Sequence, residues 1–120
     1  GGTYKDLEVW QVSMALVVEV YRAAESFPRK EMFGLTSQVR RAAVSVASNI
    51  AEEKDVSPIR ELGQFLGVAR GSVFEVETQV AIALRLGLLR DDTAAQLAKR
   101  CAEVGRLLNG LINALRKAAA

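Results

Sequence analysis

Residues 59–86 read IRELGQFLGVARGSVFEVETQVAIALRL, and this stretch decides the fold. Its apolar side chains recur at alternating spacings of four and three residues, at Leu62, Leu66, Ala69, Val73, Val76, Val80 and Ala83. This spacing places them on one face of an α-helix. Because a single helix cannot bury its own apolar face, the stretch predicts a long helix that packs against other helices.

Three further segments have the same periodicity, and helices are predicted over residues of about 6–26, 37–52, 58–86 and 92–118. The predicted core rows of the second and fourth helices are Val39, Ala43, Val46 and Ile50, and Leu97, Cys101, Val104, Leu108, Leu111 and Leu115. The first helix has a leading row at Leu7, Trp10, Met14, Val17, Tyr21 and Ala24, and a second row at Val9, Val12, Leu16, Val20 and Ala23. Short connections predict a single domain over residues 1–120, an all-α, antiparallel, up-and-down four-helix bundle. The paired rows are wider than one neighbour requires, which favours oligomerisation.

Capping residues mark the helix boundaries. Asp6 is the expected N-cap of the first helix, Thr36 or Ser37 that of the second, and Ser57-Pro58 opens the third. Gly87 is expected to end the third helix.

Small residues predict where helices approach each other closely. Gly63, Gly67 and Gly71 recur every four residues on the third helix, where glycine is otherwise unfavourable, so a close neighbour is expected on that side. Alanine and serine dominate the second helix, which favours tight packing there.

The composition excludes several classes of function. No stretch approaches the roughly 20 apolar residues that a membrane span requires, and no signal peptide is recognised. A single cysteine, Cys101, permits no intrachain disulfide, which fits a cytoplasmic protein. Histidine is absent, and with it the commonest general base and metal ligand. Glu75 and Glu77 are two residues apart and face different directions on a helix, so they are not a paired acid and base. We therefore expect no enzyme, no cofactor, no metal site and no small-molecule substrate, and a buried Cys101.

Basic side chains remain as candidates for binding. Arg40 and Arg41 have no acidic residue three or four positions away, so they are the first choice as nucleic-acid contacts. Arg29, Lys30 and Arg85 are further candidates. Because the formal net charge is only +2, a salt-bridged helical surface is an equally good interpretation of the charges.

A family resemblance is carried by residues 4–10, 34–46, 48–52, 65–66, 69–72, 75–79 and 105–112. In this order they resemble the four-helix-bundle family of 23S ribosomal RNA intervening-sequence proteins. That family is similar to the accessory variability protein of diversity-generating retroelements, a pentamer that binds a reverse transcriptase and nucleic acid. The resemblance implies a homopentamer. The chain departs from the family pattern at Ala47, where proline is usual, and at Glu53, where glycine is usual, and residues 53–56 are more acidic than is common.

Two hypotheses follow. The first is a non-enzymatic, oligomeric helical bundle that binds RNA or a ribonucleoprotein through its basic surface. The alternative is a protein–protein adaptor whose arginines only form salt bridges.

Overall fold

The computed structural model describes residues 2–54 and 63–119, which form four α-helices and contain no β-strand. The helices are α1 (Glu8–Ala24), α2 (Leu35–Lys54), α3 (Gln64–Arg85) and α4 (Asp91–Ala119), with 3₁₀ turns at Tyr4–Asp6 and Arg29–Glu31. The packed pairs are α1 with α2, α2 with α3, α3 with α4, and α4 with α1. The predicted all-α class with four helices is confirmed. In the described part of the chain, no helix has both the length and the apolarity of a bilayer span.

The core rows predicted for α2, α3 and α4 are largely confirmed. The buried residues of these rows are Val39, Ala43, Val46 and Ile50 in α2, Leu66, Ala69, Val73, Val76, Val80 and Ala83 in α3, and Leu97, Cys101, Val104 and Leu108 in α4. Beyond Leu108 the buried face of α4 passes to Ile112, while Leu111 and Leu115 are only partly buried. Leu62, predicted to open the α3 row, lies outside the described residues.

The buried face of α1 differs from the prediction. Its buried residues are Val9, Ser13, Leu16, Val20 and Ala24. Three of them belong to the second apolar row, so that row and not the leading row forms most of the core face. This face was harder to predict because Ser13, a polar residue within it, interrupts the apolar spacing. The Ser13 hydroxyl donates a hydrogen bond to the Val9 carbonyl at 2.7 Å, which satisfies it inside the core.

Two of the predicted N-caps are wrong. Thr3 caps the first 3₁₀ turn, and Asp6 completes that capping box by accepting from the Thr3 backbone N–H. Thr36 and Ser37 lie inside α2, which begins at Leu35. At the entrance to this helix, the Glu31 carboxylate accepts a hydrogen bond from the Leu35 N–H. The cap predicted at Ser57-Pro58 lies outside the described residues.

The predicted end of α3 is confirmed. Gly87 has a φ of 72°, the left-handed conformation that glycine adopts without strain. The Leu88 N–H bonds to the Ala83 carbonyl and the Gly87 N–H to the Leu84 carbonyl. These two bonds form a Schellman motif, which turns the chain toward α4.

The three glycines of α3 do not mark a close contact. A Cβ atom built on Gly67 or Gly71 would meet nothing within 4 Å in the described part of the protein, and both residues are exposed. Gly63 has a φ of 84° and precedes the helix. The described helix therefore begins at Gln64, and the start predicted near residue 58 lies outside the described residues. The close approach occurs instead between α2 and α3 at Ser45 and Ser72, whose hydroxyl oxygens are 2.8 Å apart.

The beginning of α3 is capped by a residue of α2. Gly63 has no side chain with which to cap, and the Glu53 carboxylate supplies the missing acceptor. It accepts hydrogen bonds from the backbone N–H groups of Gly63 at 3.1 Å, Phe65 at 3.0 Å and Leu66 at 3.2 Å. The carboxylate thus satisfies N–H groups that have no partner within the helix, and its charge lies at the positive end of the helix dipole.

Replacing Glu53 with alanine should therefore lower the free energy of unfolding by about 0.5–2 kcal/mol, the usual range for a lost N-cap. Glu52→Ala is the matched control, because Glu52 is an exposed neighbour and should change stability by less than about 0.5 kcal/mol. Urea denaturation followed by circular dichroism measures both variants. Equal stability of the two variants would contradict the capping role.

Candidate nucleic-acid interface

The adjacent arginines of α2 face different helices. The Arg40 guanidinium carbon lies 4.9 Å from the centre of the Tyr21 ring on α1, and its buried Nε has no hydrogen-bond partner among the described residues. Arg41 is exposed and lies on the side of α2 that meets α3. Arg40 thus has a packing contact with an aromatic face, whereas the charge of Arg41 faces solvent.

Arg41 lines a polar cleft between α2 and α3, which we name the α2–α3 groove. Its volume is about 430 Å³. The lining residues are Phe33, Ser37, Gln38, Arg41, Ala42, Ser45, Glu75 and Gln79. The groove therefore presents hydroxyl and carboxamide groups together with one charge of each sign. Its two charged groups form no ion pair with each other.

The remaining predicted contacts are Arg29, Lys30 and Arg85. Arg29 and Lys30 lie in the 3₁₀ turn just before α2, and Arg85 is the last residue of α3. All three are exposed, and within residues 2–54 and 63–119 none of them forms a salt bridge. These cations are therefore available to an anionic partner.

Arg100 is neutralised by carboxylates of the protein itself. Arg100 on α4 donates from Nε to Glu19 on α1 at 2.8 Å and from Nη1 to Glu103 at 2.9 Å. These bonds, first that to Glu19 and then that to Glu103, raise the pKa of the Arg100 guanidinium above its ordinary value. Arg70 donates to a neutral group, Oδ1 of Asn109, at 3.2 Å.

A second surface cleft, of about 610 Å³, lies between α1 and the start of α4, and its carboxylates form ion pairs with arginines. The residues that line this cleft include Leu88 and Leu97, and its two carboxylates are those of Glu19 and Asp92. Glu19 pairs with Arg100, and Asp92 pairs with Arg90 at 3.3 Å. Each of these two carboxylates is therefore already paired with an arginine of the protein.

Cys101 is fully buried, as the sequence predicted. Burial raises the pKa of its thiol to about 12, with smaller contributions from the charges of Glu77 and Glu19. The thiol therefore stays protonated at neutral pH, and only the thiolate is a nucleophile. In the part of the chain that the structure describes, no group of three or more His, Cys, Asp or Glu side chains is arranged to hold a metal ion.

Three residues of the leading apolar row of α1, Trp10, Met14 and Val17, line a groove between α1 and α2, which we name the α1–α2 groove. Its volume is about 300 Å³. The lining residues are Tyr4, Trp10, Met14, Val17, Val44, Ala47, Ser48 and Ala51. Met14 and Val44 are exposed, as are Val18 and Tyr21 nearby on α1. Several large apolar side chains close together on one face are typical of a protein contact surface.

Sequence reasoning missed two of these features. The cap by Glu53 joins residues ten to thirteen positions apart, which no local capping pattern detects. The α2–α3 groove combines residues from two helices and the connection before α2, so no single segment of the sequence predicts it. The sequence signal for this groove was Phe33, an aromatic residue in the connection before α2, and the structure shows that Phe33 is exposed.

Comparison with known proteins assigns the family. Among curated proteins, no sequence matches the chain. The family model described as 23S rRNA-intervening sequence protein matches residues 5–110, which include all of α1, α2 and α3 and most of α4. The match covers far more than half of the 120 residues, and the four-helix fold agrees with the resemblance found in the sequence. The chain therefore belongs to the family of 23S rRNA-intervening sequence proteins.

Proposed function

We propose that the protein is a non-enzymatic, oligomeric helical bundle that binds RNA, free or within a ribonucleoprotein. The proposed contacts are Arg41, Arg29, Lys30 and Arg85, with Arg40 beside them. The observation that carries this proposal is that four of these five cations are exposed and form no salt bridge within the described chain. Unpaired arginine and lysine side chains bind phosphates and release the counterions of the nucleic acid.

We propose that the four helices run up and down, which gathers these cations toward one end of the bundle. A cavity of about 340 Å³ supports this arrangement, because Leu7, Ile50, Leu66 and Leu115 line it together. These residues come from the start of α1, the end of α2, the start of α3 and the end of α4. The 3₁₀ turn with Arg29 and Lys30, the start of α2 and the end of α3 then belong to the opposite end.

Self-association is part of the proposal. The α1–α2 groove offers an exposed apolar face that a second copy of the chain would cover, and the family resemblance points to a pentamer. A symmetric ring would also bring the basic ends of several subunits together, and the electrostatic field on phosphates would increase. The same apolar face is what favours the alternative, a protein–protein adaptor with no nucleic-acid role.

A salt titration with a structured RNA tests the RNA-binding proposal. We expect the affinity to fall steeply between about 50 and 200 mM salt, because phosphate contacts release counterions. Arg41→Ala should weaken binding several-fold and lower the slope of log K against log salt by about 1.

Lys117→Ala is the charge-matched control for this titration. Lys117 is exposed in the last turn of α4, beside the cavity that contains Leu115. Ile50 lines the same cavity and lies nine residues beyond Arg41 on α2. These nine residues span about 14 Å along the helix, so the cavity beside Lys117 is well separated from Arg41. The control should leave the slope unchanged. Absence of binding at low salt would reject the RNA proposal in favour of the adaptor.

A further inference from the structure

We infer that the α2–α3 groove binds an unpaired nucleotide of RNA, with its base stacked on Phe33 and a neighbouring phosphate at Arg41. This inference rests on the proposed RNA-binding function and adds to it the kind of RNA that is bound. It predicts preference for single-stranded segments over a continuous duplex.

Phe33 is the first argument. Phe33 is 92% exposed, the highest value among the exposed large hydrophobic residues of the described chain, although a phenylalanine in a connection gains stability when it is buried. It lines the α2–α3 groove, whose other lining residues are mostly polar or charged. An exposed ring beside polar groups is the arrangement on which nucleic-acid bases stack, since every base has a flat aromatic face.

The two charges of the groove suit different parts of a nucleotide. Arg41 is exposed and has no ion-pair partner in the described residues, so its guanidinium is available to a phosphate in a bidentate arrangement. Glu75 repels a phosphate, but its carboxylate accepts hydrogen bonds from a ribose 2′-hydroxyl or from an amino group of a base. The 2′-hydroxyl distinguishes RNA from DNA.

The neutral groups of the groove match the edge of a base. Gln38, Gln79 and Ser37 line it, and carboxamides carry both donors and acceptors. The Oε1 atom of Gln79 is shielded from water and has no hydrogen-bond partner in residues 2–54 and 63–119. A base edge would supply the missing donor once the side chain turns toward the groove. The groove volume of about 430 Å³ falls within the range of small-ligand sites.

In a duplex, each base is stacked between its neighbours and its edge is paired, so it cannot reach Phe33 or Gln79. Only an unpaired nucleotide presents its face and its edge together. The combination of an exposed ring, an unpaired arginine and an unsatisfied carboxamide therefore indicates single-stranded RNA.

Fluorescence anisotropy with three labelled probes tests this inference. The probes are a single-stranded RNA of about 10 nucleotides without self-complementarity, the duplex of the same sequence, and the corresponding single-stranded DNA. We expect the wild-type protein to bind the single-stranded RNA more tightly than the other two. Phe33→Ala should lower affinity for single-stranded RNA by about 5- to 150-fold, the effect of losing one stacked base, and leave duplex affinity unchanged.

Two variants make the result specific. Phe33→Trp should retain single-strand affinity, because a larger ring stacks at least as well. Phe74→Ala is the matched control, since Phe74 is also an exposed phenylalanine, on α3, but does not line the groove. Phe33 is so exposed that its replacement should leave the thermal unfolding temperature unchanged, which rules out misfolding as the cause.

The outcomes separate the two proposals. Salt-dependent RNA binding with equal single-strand affinity of Phe33→Ala and wild type would overturn this inference and leave the proposed function standing. A preference for the duplex would overturn it equally. Absence of binding to either RNA at low salt would overturn the proposed function and this inference with it.

Discussion

Replacing Leu16 with alanine is expected to lower the free energy of unfolding by about 2–5 kcal/mol, the range for a buried leucine that leaves a cavity. Leu16 is 0% exposed and lies at the centre of the buried face of α1. Met14 belongs to the leading row that the apolar spacing predicted for the core, and it is 38% exposed. The two residues therefore distinguish the observed rotation of α1 from the predicted one.

Met14→Ala serves as the control for Leu16→Ala. It should change the free energy of unfolding by less than about 1 kcal/mol, because Met14 stays 38% exposed in the folded single chain and its truncation leaves no closed cavity. Guanidinium denaturation at low protein concentration measures both variants. The slope of the free energy of unfolding against denaturant concentration should stay unchanged, because the same surface is exposed on unfolding. A larger loss for Met14→Ala than for Leu16→Ala would show that α1 is rotated the other way.

Introducing aspartate at Val44 is expected to dissociate the proposed oligomer. Val44 lines the α1–α2 groove and is 40% exposed in the single chain. If a second copy covers this groove, the variant buries an unpaired carboxylate, at a penalty of several kcal/mol per ion. Each 1.4 kcal/mol changes the dissociation constant about tenfold, so association should weaken by more than about 100-fold.

Light scattering after size exclusion measures the mass. A pentamer of the 13.0 kDa chain would have a mass of about 65 kDa, and Val44→Asp should shift the mass toward 13.0 kDa. Val68→Asp is the control, since Val68 is a valine of similar exposure, 49%, on α3 and outside the groove. It should retain the wild-type mass. A monomeric wild-type protein would contradict self-association, and an intact oligomer of Val44→Asp would move the interface to another face.

The periodicity of apolar residues predicted most of the fold, because burial of one helix face is a local property of the sequence. The rows of α2 and α3 are uninterrupted, and their buried residues agree with the prediction wherever the chain is described. In α1 two rows compete, and the choice depends on Ser13, whose burial is tolerated only because its hydroxyl bonds to the Val9 carbonyl. Spacing alone does not reveal that bond.

The candidate site was less predictable, because its properties arise between helices. Arg40 and Arg41 are adjacent in sequence, but successive residues of a helix point about 100° apart, so one meets Tyr21 and the other the α2–α3 groove. Likewise, Gly67 and Gly71 have the spacing of a helix crossing, but no described residue lies against either of them. Charge and spacing identify candidates, and only packing decides which of them remain accessible.

The hydrogen bonds that the Glu53 carboxylate accepts link the end of α2 to the beginning of α3, and this has a consequence for how the bundle opens locally. Fraying of the last turn of α2 would withdraw the carboxylate and leave the amides of Phe65 and Leu66 without that acceptor. The end of α2 and the beginning of α3 should therefore open as a single cooperative unit. Slow amide hydrogen exchange at the start of α3 should then require that the last turn of α2 is ordered.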